Sequence, residues 1–237
     1  MQMKYRIIHL DETDSTNKYA RSLADAGERD VCVIARRQTM GRGRLGRTFE
    51  SPEGGLYMSF AVSSDDGKDR LTARAAVATA RAIESCTGLS SGIKWVNDIF
   101  VNGKKLCGIL TEGVWNGDKA EYFIVGIGVN LYGELSSEIS DIATTVSDEG
   151  GLVPEAELLA KRILEEFLRC DDFFEEYKDR QILLGHEVTA YRGGESFNAV
   201  FEELSDDCGA VLRLSDGERL KISSGELSLR GRAYDEK

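Results

Sequence analysis

Apolar and polar positions change period repeatedly along the chain, from the two-residue repeat of strands to the 3.6-residue repeat of helices. Residues 5–10 read as a short strand. Asp14, Ser15 or Thr16 can then cap a helix to about residue 25, with Tyr19, Ala20, Leu23 and Ala24 on one face and Gly27 as its stop. Strands are expected over 31–36 and 55–62, and an alanine-rich helix over 71–86 is closed by Gly88. After a strand at 92–96, residues 99–110 read as a hairpin, because Asn102-Gly103 suits the positive φ angles of a two-residue turn. Residues 122–131 form another apolar strand. From Pro154, suited to a first helical turn, one long helix is expected to about Arg180, with Leu159, Ile163, Phe167, Phe174 and Tyr177 facing inward.

The character changes near Gly185. Short strands at 186–191, 195–204, 210–215 and 219–223 are separated by glycine-bearing turns, the first of them Arg192-Gly193-Gly194, in the manner of a small β-barrel. The expected class is α+β: a mixed β-sheet packed with helices over residues 1–184, then a small C-terminal β-barrel over 185–237.

Composition narrows the functional classes. With 237 residues and 41% hydrophobic content, the chain can bury a substantial core. Nothing in it reads as a bilayer-spanning run or a secretory leader at Met1, so the expected location is the cytoplasm. A formal net charge of −11 argues against general affinity for nucleic acid or anionic membrane, so any anion site must be local. The five cysteines lack CxxC pairing and suit reduced core thiols. His9 and His186 are the only histidines, which speaks against histidine catalysis and His-rich metal sites.

Against that acidic background, residues 37–47 (RQTMGRGRLGR) hold four arginines, three glycines and no acid. Gly41-Arg42-Gly43-Arg44-Leu45-Gly46 matches the dinucleotide fingerprint G-x-G-x-x-G, but that fingerprint must open a helix, and the continuation TFESPEGG cannot. No P-loop motif occurs. Three readings remain: a solvated basic hairpin loop, an arginine-glycine contact for RNA, and an anion cradle in which glycines admit backbone N–H groups while Arg42, Arg44 and Arg47 supply forked donors.

Three further stretches accompany this loop in order: Asp14-Ser15-Thr16-Asn17, Lys94-Trp95-Val96-Asn97-Asp98 and Gly126-Ile127-Gly128-Val129-Asn130-Leu131. Together the four resemble the biotin protein ligase family, densely over about residues 7–131 and weakly to the end, where Gly225-Glu226-Leu227-Ser228-Leu229-Arg230 is similar to the close of the family's SH3-like C-terminal barrel. The resemblance implies a biotin/lipoate ligase-like catalytic domain that joins biotin to ATP, giving biotinyl-adenylate and pyrophosphate. Biotin then passes to one lysine of the biotin carboxyl carrier domain of a carboxylase. Biotin and ATP would be substrates, Mg²⁺ the accompanying ion, and no prosthetic group would be bound. The nearest rival is a lipoate ligase, and the rival of another class is the RNA-binding module.

The resemblance also carries roles. Lys94 and Arg44 would be catalytic. Ser15, Thr16, Asn17, Gln38, Arg42, Gly43, Arg44 and Lys94 would bind biotin, the first four by hydrogen bonds to its neutral ureido ring. Arg42, Arg44, Arg47, Phe49, Asn97 and Asn130 would bind the nucleotide, and Asp98 would help place Mg²⁺. Two positions depart from the family, which commonly has Pro where Val96 stands and Trp where Phe49 stands. Some members carry an N-terminal DNA-binding domain, whereas the Asp14 motif here begins after 13 residues, so a ligase without DNA binding or membrane association is expected. Relatives dimerise through an exposed sheet surface, which implies a homodimer.

Overall fold

The computed structural model describes residues 5–63, 67–192, 195–223 and 228–231. A seven-stranded mixed sheet carries strands β1 (Arg6–Thr13), β2 (Val31–Gln38), β3 (Gly55–Val62), β4 (Gly92–Lys94), β5 (Asp98–Val101), β6 (Lys104–Asn116) and β7 (Lys119–Asn130). Their spatial order is β1-β2-β3-β7-β6-β5-β4, with β1 and β2 parallel and every other pair antiparallel. A five-stranded antiparallel sheet follows, from β8 (Glu187–Arg192), β9 (Glu195–Leu204), β10 (Ala210–Arg213), β11 (Arg219–Ile222) and β12 (Ser228–Gly231), in the order β11-β10-β9-β8-β12. Gly193 and Gly194 of the expected turn, and Gly225 to Leu227 of the closing motif, lie outside the described residues.

Strand alternation sorts the large sheet into two faces. Val31, Val33, Ala61 and Ile124 pack under helix α1 (Thr16–Asp25) through Ala20 and Ala24. Their sequence neighbours Cys32, Ile34, Phe60, Phe123 and Val125 point the other way, into the main core with helices α2 (Lys68–Thr87) and α3 (Ala156–Arg169). α2 is fully buried along Ala73, Ala75, Ala76, Ala78 and Ala80, which explains its alanine content: small side chains let a helix sit close to its neighbours on several sides. Gly88 ends it in the left-handed conformation, φ 76°, and Asn102 and Gly103 have φ of 47° and 81° at the hairpin turn, both as the sequence implies.

Two expectations are corrected. Tyr19 does not share the buried face of α1 but is 37% exposed. The single helix expected over 154–180 is two: α3 stops at Arg169 and α4 (Phe174–Asp179) starts after Cys170-Asp171-Asp172-Phe173, with Pro154 outside α3 and Glu155 at its N-cap. Adjacent aspartates favour turns over helix interiors. The carbonyl of Phe167 exposed at the break is taken by Arg74 Nε at 3.0 Å and Nη2 at 2.8 Å. The break lets Tyr177 turn back under the 94–98 turn, where its hydroxyl donates to Val96 O at 3.0 Å.

Candidate active site

The cavity lies on the α1 face of the large sheet, beyond the N-terminus of that helix, and encloses about 690 Å³, a volume in the range for a small organic ligand. Its floor follows from the two-residue repeat of strands. Gly126, Gly128 and Asn130 alternate on one face of β7, beside Gly108 of β6. A Cβ at Gly126 would lie 1.9 Å from Asn17 Oδ1, and one at Gly128 would lie 2.5 Å from the Phe49 ring. The glycines therefore make room for the side chains that line the cavity.

The arginine segment forms its roof as an ordered hairpin. Arg42 pairs with Thr48, Gly43 N donates to Arg47 O at 2.7 Å, and Phe49 N donates to Gly41 O at 3.0 Å. At the tip Leu45 and Gly46 both adopt left-handed φ, 56° and 74°, so Gly46 is there for its conformation. Gly41 is there for space: a Cβ would meet Phe49 O at 2.3 Å and Ser51 Oγ at 2.5 Å. Of the three readings left open by sequence, the anion cradle agrees best with this hairpin, because its arginines face a cavity.

All thirteen side chains or glycines singled out from sequence line this one cavity: Ser15, Thr16, Asn17, Gln38, Arg42, Gly43, Arg44, Arg47, Phe49, Lys94, Asn97, Asp98 and Asn130. Thr16 and Asn17 are buried in the first turn of α1, and Ser15 is buried at its N-cap position without a side-chain capping bond. Gln38 Oε1 accepts from Thr16 N at 2.8 Å and from Thr16 Oγ1 at 3.0 Å. Arg44 Nη1 donates to Asn97 Oδ1 at 3.0 Å while Asn97 Nδ2 donates to Ile109 O at 2.8 Å, so Asn97 spends both ends of its amide on the protein. Burial lowers the Arg44 pKa from its ordinary value, opposed chiefly by the charge of Asp98. Lys94, at the end of β4, holds its Nζ 5.2 Å from the centre of the Phe100 ring. The Trp95–Val96 peptide that follows is cis.

Asp98 Oδ1 lies 2.8 Å from Lys105 Nζ. The same ammonium stands 5.7 Å from the centre of the Phe49 ring. The far wall is the segment 139–146, tied to the sheet by Lys105 N to Ile142 O and Thr144 N to Lys105 O, both 2.9 Å, and by Asn130 Nδ2 to Thr144 O at 3.1 Å. Sequence reasoning missed Lys105, Ser51, Ser59 and Glu112. Glu112 shares its strand face with Gly108, a signal that was available; Ser59 and Ser51 have none, because their importance lies in pairing across distant segments.

An α+β sheet with a polar and cationic cavity under an arginine hairpin defines a small-molecule site suited to an anionic ligand with a neutral polar head. The chain belongs to the biotin/lipoate A/B protein ligase family, whose description matches residues 10–130, and residues 183–230 match the biotin protein ligase C-terminal domain. It is 30% identical over 241 residues to the biotin–[acetyl-CoA-carboxylase] ligase of Paracoccus denitrificans, covering 94% of this chain and all of that one. It is 40% identical over 157 residues to the bifunctional ligase/repressor BirA of Bacillus subtilis; there the match covers 63% of this chain and spans about half, 48%, of the relative. The Aquifex aeolicus biotin protein ligase, solved in complex with biotin and ATP, superposes with a TM-score of 0.80 at 31% identity over 95% of this chain and 99% of that one.

Proposed function

We propose that the protein is an ATP-dependent biotin protein ligase. The observation that carries this reading is the meeting, in one cavity, of a neutral hydrogen-bonding cluster (Ser15, Thr16, Asn17, Gln38) with a cationic set (Arg42, Arg44, Arg47, Lys94). Biotin has that division: a neutral ureido head with two N–H donors and a carbonyl, and a carboxylate tail. In the first half-reaction a carboxylate oxygen attacks the α-phosphorus of ATP, the bond to the bridging oxygen breaks, and pyrophosphate leaves. Two anions must approach, so fixed cations lower the barrier by offsetting their repulsion and the charge of the pentacovalent transition state. Lys94 suits the point between carboxylate and phosphate as a compact charge; Arg44, held by Asn97, suits the phosphate as a forked donor.

In the second half-reaction a carrier lysine, as the free amine, attacks the acyl carbon and AMP leaves. The hairpin roof over residues 41–49 fits retention of the mixed anhydride between the two steps, since a water-excluding cover protects a reactive intermediate. Phe49, above Gly108 and Gly128, offers an aromatic face to a nucleobase. Mg²⁺ fits this site as an ion carried on the phosphates. Among the described residues no three His, Cys, Asp or Glu side chains cluster to form a protein cage, and Asp98, half committed to Lys105, leaves one oxygen for a hydrated ion.

The partner under this reading is a biotin carboxyl carrier domain, and ATP dependence together with five free thiols fits a cytoplasmic setting. No helix among the described residues is long and apolar enough to cross a membrane. The test is pyrophosphate exchange into ATP with Mg²⁺, run with biotin and with lipoate, followed by label transfer to a carrier domain. Biotin-dependent exchange is expected. Exchange with lipoate alone would reassign the substrate, and exchange with neither would sink the ligase reading.

A further inference from the structure

The polar end of the cavity is wired by two hydrogen-bonded chains, and counting protons along them fixes what each group can offer a ligand. The first chain starts at Glu112 on β6. Its Oε2 lies 2.7 Å from Asn17 Nδ2, and Leu110 O takes a longer contact from the same nitrogen at 3.4 Å. A carboxylate only accepts, so Asn17 must turn its NH₂ toward Glu112 and its Oδ1 the other way. There Ser59 Oγ donates to Oδ1 at 2.6 Å. Ser59 Oγ also lies 2.8 Å from Thr16 Oγ1 as a donor, so its one proton serves two acceptors, Asn17 Oδ1 and Thr16 Oγ1.

The second chain starts at a backbone carbonyl. Ser51 Oγ donates to Phe49 O at 3.0 Å, Gln38 Nε2 donates to Ser51 Oγ at 2.8 Å, and Gln38 Oε1 is thereby turned to Thr16. The two chains meet at Thr16, whose single proton goes to Gln38 Oε1, so that its oxygen, 2.8 Å from Ser59 Oγ, is left to accept.

We propose that Glu112 is a specificity-determining positioning residue: by accepting from Asn17 it holds Asn17 Oδ1 as an acceptor beside Thr16 Oγ1, and the pair selects a head group bearing N–H donors. The inference rests on the biotin reading, since the ureido ring carries two N–H groups whereas the dithiolane of lipoate carries none. Gly126 preserves the arrangement sterically, its missing Cβ leaving the space that Asn17 Oδ1 fills. Without Glu112 the Asn17 amide is free to rotate by half a turn and present NH₂ where an acceptor is needed.

The test uses the full chain in biotin-dependent pyrophosphate exchange, with KM for biotin and for ATP measured separately. For Glu112→Ala, KM for biotin is expected to rise roughly tenfold or more, the scale of one charge-assisted hydrogen bond, with KM for ATP unchanged. Biotin methylated on a ureido nitrogen should be discriminated against about tenfold by the wild type and distinctly less by the variant. A second pair keeps the test open if Glu112→Ala folds poorly. Asn17→Asp sets two carboxylates against each other and should lose biotin affinity; adding Glu112→Gln supplies an NH₂ donor to Asp at 17 and should restore it. An unchanged KM for biotin, a parallel rise in both KM values, or failure of that rescue would overturn the inference. A wild type without exchange would remove the biotin reading itself and this inference with it, an outcome distinct from wild-type activity with indifferent variants.

Discussion

Trp95 donates its indole N–H to the carbonyl of Cys208 at 3.0 Å, a bond that joins the turn following Lys94 to the C-terminal sheet. The indole also meets Phe201 edge to face, with ring centres 6.2 Å apart. With Tyr177 holding Val96 O, the turn carrying Lys94, Asn97 and Asp98 is fixed from behind by elements more than 75 residues away, and the C-terminal sheet thereby contributes to the site without lining its cavity.

Trp95→Phe keeps the ring and deletes the donor, so the buried Cys208 loses this hydrogen bond to its carbonyl. The cost is expected to be about 1–3 kcal/mol of stability, read as a lower denaturation midpoint. A drop in kcat for exchange with KM for biotin nearly unchanged is expected alongside, because the loosened turn carries Lys94 and not the ureido partners. Unchanged stability and kcat would show that the two sheets are coupled through packing alone.

Arg44 and Asn97 act as one unit. Asn97 takes the guanidinium on Oδ1 and anchors itself on Ile109 O, so removing Asn97 should misdirect Arg44 as well as delete its own side chain. Both Arg44→Ala and Asn97→Ala are expected to speed release of the acyl-adenylate, and the double variant should be little worse than Arg44→Ala, with a coupling of roughly 1.5–3 kcal/mol. Dissociation of pre-formed adenylate, measured for all four forms, gives that coupling directly; strictly additive effects would separate the two residues.

Local patterns carried most of the large sheet and the membership of the site. Period-two runs, Asn102-Gly103 and Gly88 mark elements whose physics lies within a few residues, and twelve of the thirteen singled-out residues that line the cavity come from the four motif stretches, Phe49 being the other. The helix break at 170–173 was not legible because Phe167, Phe174 and Tyr177 continue the helical spacing of apolar positions through it, whereas the structure buries Phe173 and leaves Phe174 only partly buried. The decision falls to two aspartates and to Arg74, 93 residues from its acceptor Phe167. Ser59 was missed for a similar reason, being an ordinary strand residue until the fold brings it against Asn17.

Gly126→Ala tests the steric argument for the GIGVN strand. The new methyl would sit 1.9 Å from Asn17 Oδ1, closer than packing allows, and neither α1 nor the paired strands β3 and β6 can yield readily. A stability loss of about 1–3 kcal/mol is expected, with KM for biotin raised more than KM for ATP. Gly27→Ala is the control, since it has open space but φ 92° and lies at the end of α1 away from the cavity. Its cost should be in stability only.

The last prediction concerns acid. Glu84 accepts from Arg180 Nη1 at 2.7 Å and Nη2 at 2.9 Å, and from Ser91 N at 3.1 Å; Glu176 accepts from Arg180 Nε at 2.8 Å and also pairs with Arg81. Burial alone would raise both carboxyl pKa values, yet the hydrogen bonds from the arginines, and from Ser91 for Glu84, outweigh it, so both titrate below their ordinary value of 4.5. A pKa depressed in the folded state means that the unfolded chain binds the proton first. The stabilisation is therefore complete above about pH 4.5 and is lost as pH falls through the lower, folded values. Arg180 O also accepts Ile93 N–H at 2.7 Å, next to Lys94, so acid should loosen β4 together with the helices. The expected result is a stability curve that falls below pH 4.5 and is flatter in Glu84→Gln/Glu176→Gln, measured by urea denaturation across the range. Parallel curves for wild type and variant would mean that other carboxylates govern the acid transition.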